Sequence, residues 1–319
     1  MKALTVKEFL DSKGESLELE LLTAGADLNR EITAASISSP GLVIAGYTDR
    51  FGPGRLQVLG ETEISYMRSL PAQELRRVSS ALLSLAIPAL IVTKAQDVPE
   101  VLLDIARERG MPIIRTRLRT GEFYRRVHPF LEARFAPTTT MHGSLADVYG
   151  VGLLFVGRSG IGKSECVLDL IERGHRLVAD DLVYISRRGN DVLIGRGHEL
   201  QRHHMEIRGI GIIDIPTLFG IRAIRQQKRV EVVVQLEDWN DRTYYDRTGL
   251  ETEEIEILGV NVPKVTIPLN PGKNITVISE VVAMNHLLKY SGVHSAVRFN
   301  QRLKEAMRPV RDYLEEDYE

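Results

Sequence analysis

Apolar and polar positions change rhythm once along this 319-residue chain. Up to about residue 130, short β-rich runs alternate with stretches whose apolar residues recur at three- and four-residue spacing. The runs LVIAG (42–46), LQVLG (56–60) and PALIVTK (88–94) are bounded by turn-forming residues and predict strands. PAQELRRVSSALLSL (71–85) carries the spacing of an amphipathic helix, and VPEVLLDIARERGMPIIRT predicts helix, glycine stop and strand. A further helix is predicted at the start, where Thr5 and Glu8 fit a Thr-x-x-Glu capping box and Gly14 fits a stop. Such alternation predicts an α/β domain.

The rhythm lapses at 131–141, LEARFAPTTTM, where a proline and three threonines intervene. The domain boundary is expected there, giving an N-terminal α/β domain at 1–132 and a second domain at 133–319. Beyond it the chain turns β-rich: VGLLFVG, HRLVADDLVYI, DVLIG, GIGIIDI, VEVVVQL and KVTIPL. Two helical stretches close it, SEVVAMNHLLKYSG and one from near His294 to the acidic tail EEDYE. Strands running without intervening helices depart from a doubly wound sheet.

Composition narrows the function. With 43% apolar and 26% charged residues and a net charge of −2, the chain has no electrostatic footprint for nucleic acid. No run approaches the ~18 apolar residues of a membrane span, and the N-terminus lacks the apolar core of a signal peptide, so a cytoplasmic protein is expected. The single cysteine, Cys166, cannot form an internal disulfide and is expected to be buried as an apolar residue. Arg125, Arg126 and Arg134 form a loose basic patch, read as a solvated face.

Chemistry concentrates at 157–164. Gly157-Arg158-Ser159-Gly160-Ile161-Gly162-Lys163-Ser164 is a full G-x-x-x-x-G-K-[ST] phosphate loop, preceded by the strand VGLLFV and followed by the helix SECVLDLIERG. Glycines let backbone N–H groups close around phosphate oxygens, and the helix N-terminus adds partial positive charge. Lys163 can reach the β- and γ-phosphates of ATP, and the Ser164 hydroxyl can ligate Mg²⁺. Phosphoryl transfer also needs carboxylates for the metal and for a proton. Asp180 and Asp181 follow in RLVADDLVYI; on a strand they point to opposite faces unless a bulge re-aims one, so one can face the phosphates while the other serves the scaffold. Glu206, in HHMEIRGIGIIDIP, is either a second metal ligand or half of a structural ion pair with Arg208. His203 and His204 lack metal-ligand spacing and are read as structural or surface residues. His142, in TTTMHGSLADVYG, sits at a strand–glycine transition, where a lone histidine is structural more often than not.

Taken in order, GYTDRFGPGRLQVLGETEISYM, GRSGIGKSE, ADDL, MEIRGIGIIDI, YYDRTGLE, IPLNPGKN and AMN resemble the bacterial HPr kinase/phosphorylase family over nearly the whole chain. The resemblance implies a bifunctional enzyme. It would phosphorylate a serine of the phosphocarrier protein HPr from ATP or pyrophosphate, and remove that phosphate by phosphorolysis to pyrophosphate. It implies nucleotide binding by Gly157 to Ser164, with Lys163 on the phosphates and Ser164 and Glu206 on Mg²⁺. Asp181 would be base forward and acid in reverse, supported by Asp180, with His142 and Arg247 as further catalytic residues. Residues 205–214 match a segment tied to both directions. Pro268, Leu269, Asn270, Pro271, Gly272 and Lys273 match one tied to dephosphorylation. In that loop the family commonly carries a basic residue where this chain has Asn270, while Lys273 is retained; losing a cation there weakens contacts to phosphoserine or the attacking phosphate. The implied fold is a P-loop kinase domain with a phosphoenolpyruvate-carboxykinase-like core, assembled as a homohexamer. Without the resemblance, the residues also fit a small-molecule P-loop kinase or a nucleotide-binding regulatory module. A GTPase is disfavoured because no Asn-Lys-x-Asp follows the loop.

Overall fold

The computed structural model describes residues 3–49, 51–199, 202–240, 253–270 and 272–316, with side chains to 307. The chain divides into two compact units at residues 136 and 137.

In the first unit the order is β1 (Leu4–Thr5), α1 (Val6–Lys13), β2 (Leu19–Leu21), β3 (Glu31–Ile32), α2 (Gly41–Ile44) and β4 (Gln57–Leu59). Then come α3 (Glu61–Ser69), α4 (Ala72–Leu83), β5 (Leu90–Val92), α5 (Glu100–Glu108), β6 (Ile113–Thr116) and α6 (Thr120–Phe135). The capping box forms as expected: Glu8 N–H donates to the Thr5 hydroxyl and Thr5 N–H to the Glu8 carboxylate, each at 3.1 Å. A sheet ordered β2-β6-β5-β4, parallel except for β2, runs through the unit. Its central strand is buried on both faces: Leu90 and Val92 enter one core with α4 and α5, while Ile91 enters the other with α1 and α6. Helix cover on both sides explains why this strand reads as a continuous apolar run. Arg126 pairs with Glu122 and Arg134 with Glu8, so this basic patch is partly neutralised.

One expected strand is a helix. LVIAG (42–46) forms α2 because Gly46, at φ +100°, closes a Schellman motif. Gly46 N–H donates to the Val43 carbonyl and Tyr47 N–H to that of Leu42. The glycine that looks like a strand boundary is a helix terminator.

The second unit begins with β7 (Thr138–His142), β8 (Ser144–Val148), β9 (Val151–Val156), α7 (Lys163–Glu172), β10 (Arg176–Ala179) and β11 (Leu182–Arg188). It continues through β12 (Val192–Arg196), β13 (His204–Ile207), β14 (Gly211–Asp214), α8 (Ile215–Phe219), β15 (Gln227–Arg229) and β16 (Val232–Asp238). β17 (Glu253–Ile257), β18 (Val260–Leu269), α9 (Ile275–Tyr290) and α10 (Ser295–Glu316) complete it. A mixed sheet ordered β10-β8-β9-β16-β18-β17 has the parallel trio β9, β16 and β18 at its centre. A second, antiparallel sheet is ordered β15-β12-β11-β7. Along β9 the side chains alternate between two cores: Val151, Leu153 and Phe155 pack with α7 and α9, while Leu154 and Val156 pack with residues of the second sheet. Gly152 stands where a Cβ would lie 1.8 Å from the Arg229 carbonyl oxygen, which lets the two sheets approach.

The run HRLVADDLVYI is therefore two strands, one in each sheet, and not the single strand its hydropathy predicts. The pairing of β10 with β8 shifts register between Leu177 and Ala179, and Asp181 adopts a left-handed φ of +63°. Among the described residues no helix is long and apolar enough to cross a membrane.

Candidate active site

The parallel trio ends on one edge. β9 runs into the phosphate loop, β16 ends at Asp238, and β18 ends at Leu269, which lies in register with Asp238. Ligands in such sheets gather outside the carboxyl ends of the strands. Register therefore brings the loop 157–164 and the start of the 268–273 segment to the two strand ends that flank the end of β16.

The loop is anchored from below and held from the side. Ile161 is buried in the core beneath it, so its side chain fixes the loop. Arg158 forms a bidentate ion pair with Asp238, at 2.6 and 2.9 Å. The Lys163 ammonium donates to the carbonyls of Gly157 and Arg158, both at 3.0 Å, and so lies across the mouth of its own loop. Helix α7 starts at Lys163, which directs its unpaired N–H groups to the same place. Cys166, one turn along, is buried as expected, and burial pushes its thiol up to about 11.

The carboxylate pair stands beside this helix. Asp180 Oδ1 accepts from the Ser164 hydroxyl at 3.0 Å and from the Ser144 hydroxyl at 2.5 Å. Burial pushes its carboxyl above the usual carboxylate range, and the two hydroxyl donors oppose that rise. Asp181 is exposed, and its left-handed backbone turns it away from the line of the strand. A shifted register followed by a left-handed residue thus separates two adjacent carboxylates into an inner one, bonded to the loop helix, and an outer one.

His142 lies opposite Leu182 in the β7–β11 ladder, and Gly143 N–H donates to the Asp181 carbonyl at 3.0 Å. That places His142 beside the carboxylate pair. Glu206 is exposed on β13, whose Met205 and Ile207 are buried against the α7 core. It forms no hydrogen bond or ion pair among the described residues, so the pairing with Arg208 left open by the sequence is not made. In the dephosphorylation segment, the Lys273 ammonium donates to the Pro268 carbonyl at 3.0 Å, and Lys273 N–H to that of Asn270 at 3.1 Å. Gly272 has φ +85°. Arg247 and Pro271 lie outside the described residues.

Two contributors escape sequence reading. Ser144 and Asp238 carry no motif signal, although Asp238 ends an apolar strand next to the phosphate-loop strand. Arg208, inside the 205–214 segment singled out from the sequence, reaches the loop: a Cβ on Gly160 would be 2.6 Å from its Nη1.

The arrangement can bind a polyphosphate end, hold it beside a half-buried and an exposed carboxylate, and surround it with cations. Residues 4–131 match the family model for the HPr serine kinase N terminus, and 133–303 that for the HPr serine kinase C-terminal domain. The chain is 46% identical to an HPr kinase/phosphorylase of Chloroherpeton thalassium, over 100% of this chain and 97% of that one. It is 44% identical to the HPr kinase/phosphorylase of Bacillus subtilis, over 92% and 94% of the two chains. A solved structure of the Hpr(Ser) kinase/phosphatase from Coxiella burnetii is 36% identical, with a TM-score of 0.46, and covers 50% of this chain and 98% of its own.

Proposed function

The chain belongs to the HPr serine kinase family, and we propose that it is a bifunctional HPr kinase/phosphorylase working through the site just described. One observation carries the mechanism: the Ser164–Asp180 hydrogen bond ties the phosphate-loop helix to the carboxylate pair.

In the forward direction the loop 157–164 and Lys163 hold ATP or pyrophosphate. The serine hydroxyl of HPr attacks the terminal phosphorus; its O–P bond forms as the bond to the leaving phosphate or ADP oxygen breaks. A serine hydroxyl is a weak nucleophile, so its proton passes to Asp181, the exposed carboxylate an incoming chain can reach. In reverse, an oxygen of inorganic phosphate attacks the phosphorus of phosphoserine and the serine O–P bond breaks. Asp181 returns the proton to the departing serine oxygen, and pyrophosphate is released. His142 and Arg247 assist at the reacting group, and the segment 268–273 serves the phosphorolysis direction.

The residues fit Mg²⁺. Ser164 and Asp180 offer hard oxygen donors 3.0 Å apart, with Glu206 as a further carboxylate. Mg²⁺ takes few protein ligands and completes its shell with phosphate oxygens, and among the described residues no cluster of three acidic, His or Cys side chains forms a closed metal cage. When bound, the ion neutralises charge on the transferring group. A cytoplasmic homohexamer is the assembly and location that the family resemblance supports.

The test is one assay with purified protein, HPr, Mg²⁺ and ATP, followed by phosphate. Phosphoserine is expected on HPr and then lost with release of pyrophosphate. ATP binding without transfer to HPr would refute the proposal in favour of a regulatory module or a small-molecule kinase.

A further inference from the structure

We propose that Asp238 is a positioning residue: acting through Arg158, it holds the start of the phosphate loop in the shape that receives a polyphosphate. This rests on the part of the kinase/phosphorylase reading that places the phosphoryl donor in the loop 157–164.

Two contacts bring the end of β16 against the first two residues of the loop. A Cβ on Gly157 would lie 2.6 Å from the Leu236 carbonyl oxygen, so strand and loop meet with no room for a side chain. Two residues further along β16, the Arg158 guanidinium donates to the Asp238 carboxylate, through Nε at 2.6 Å and Nη2 at 2.9 Å. Asp238 is itself held from the other side. It lies in register with Leu269 of β18, and the next residue, Trp239, donates its N–H to the Leu269 carbonyl at 3.3 Å. The Lys163 ammonium rests on the carbonyls of the same two loop residues, Gly157 and Arg158, each at 3.0 Å. A shift at the start of the loop therefore moves the lysine that meets the phosphates.

Geometry also decides how Arg158 is used. A guanidinium presents its Nε–Nη2 edge as a fork to two oxygens of one anion. In Arg158 that edge is taken up by Asp238, which makes the side chain a strut to the neighbouring strand and not a clamp on phosphate. Both side chains are exposed, and an exposed pair adds little to the stability of a fold. What this pair fixes is the flank of a loop whose N–H groups must converge before the donor arrives, and ordering them at that moment would cost affinity. Loss of Asp238 thus falls on donor binding, leaving the fold and the chemical step nearly untouched.

The experiment compares the full-length wild type with Asp238→Ala, Arg158→Ala and the double variant. ATP and pyrophosphate affinities are measured by calorimetry with Mg²⁺ present, and kcat and the KM values for donor and HPr from phosphorylation. Asp238→Ala is expected to raise the Kd and KM of both donors about three- to tenfold. Its kcat and its KM for HPr are expected within about twofold of wild type, with thermal unfolding unchanged. The double variant is expected to bind donor no more weakly than Arg158→Ala, because the two residues act as one contact. Tighter donor binding by Asp238→Ala would mean that Arg158 is a phosphate ligand held back, and would overturn the role. So would unchanged donor binding, a loss confined to kcat, or a double variant whose loss is the product of the two single losses. A wild type that binds ATP yet leaves HPr unmodified would overturn the kinase reading alone, since the calorimetric comparison is independent of transfer. One that binds neither ATP nor pyrophosphate would overturn both.

Discussion

Replacing Asp181 with asparagine isolates chemistry from folding. The side chain is exposed and its backbone sits at φ +63°, a region that asparagine tolerates as readily as aspartate. Asp181→Asn therefore leaves the sheet-to-sheet crossing unstrained, and stability is expected within ~0.5 kcal/mol of wild type. The amide cannot accept the serine proton. General-base catalysis contributes about 10²–10⁴ in rate, so the barrier rises by roughly 3–5 kcal/mol. Asp181→Ala serves as the contrast. It removes the same carboxylate and also the short polar side chain that eases the left-handed backbone, at a further cost of about 1 kcal/mol in stability. Steady-state phosphorylation of HPr and denaturant unfolding, run on both variants, separate the two effects. The base assignment is wrong if Asp181→Asn transfers phosphate at the parental rate.

Three more outcomes follow from named contacts. Lys273→Ala removes the ammonium that caps its own loop at the Pro268 carbonyl, and is expected to slow phosphorolysis about tenfold more than phosphorylation; equal losses would count against that loop's role. Glu280, buried on α9, accepts both arms of the Arg173 guanidinium at 2.8 and 2.6 Å and the His175 ring at 3.1 Å, and Arg173 above all holds its carboxyl down at about 2. Its stabilisation is thus fully present above its unfolded pKa of roughly 4.3 and lost as pH falls towards about 2, so Glu280→Gln should cost ~1–3 kcal/mol at neutral pH and progressively less in acid; a gap independent of pH would contradict the contact. Gly152→Ala would set a methyl 1.8 Å from the Arg229 carbonyl oxygen, and a loss of ~3 kcal/mol or more is expected in urea unfolding, against little change if the sheets can part.

Much of the fold was legible because burial leaves a period. Strands covered on both faces, such as β5 and β9, read as apolar runs, and the capping box at Thr5 announced its helix. LVIAG misled because a Schellman glycine and a strand-ending glycine look alike in a line of letters. HRLVADDLVYI misled because hydropathy does not record a change of sheet; the left-handed backbone at Asp181 does. In the site, the loop and carboxylates were readable from local spacing. Arg208 against Gly160, Asp238 on Arg158 and Glu280 on Arg173 and His175 were not, since each depends on segments that meet only in three dimensions.

The pairing of β9 with β16 has a kinetic consequence. Arg158 and Asp238, which close the loop's side, are separated by 80 residues of chain. Loop-closure entropy of that span must be overcome before the cradle has its flanking strand, and parallel pairing over such distances is slow. During synthesis the phosphate-loop segment emerges long before the strand that completes it. Nucleotide affinity should therefore arise late in refolding, as a marker that the long-range topology is complete.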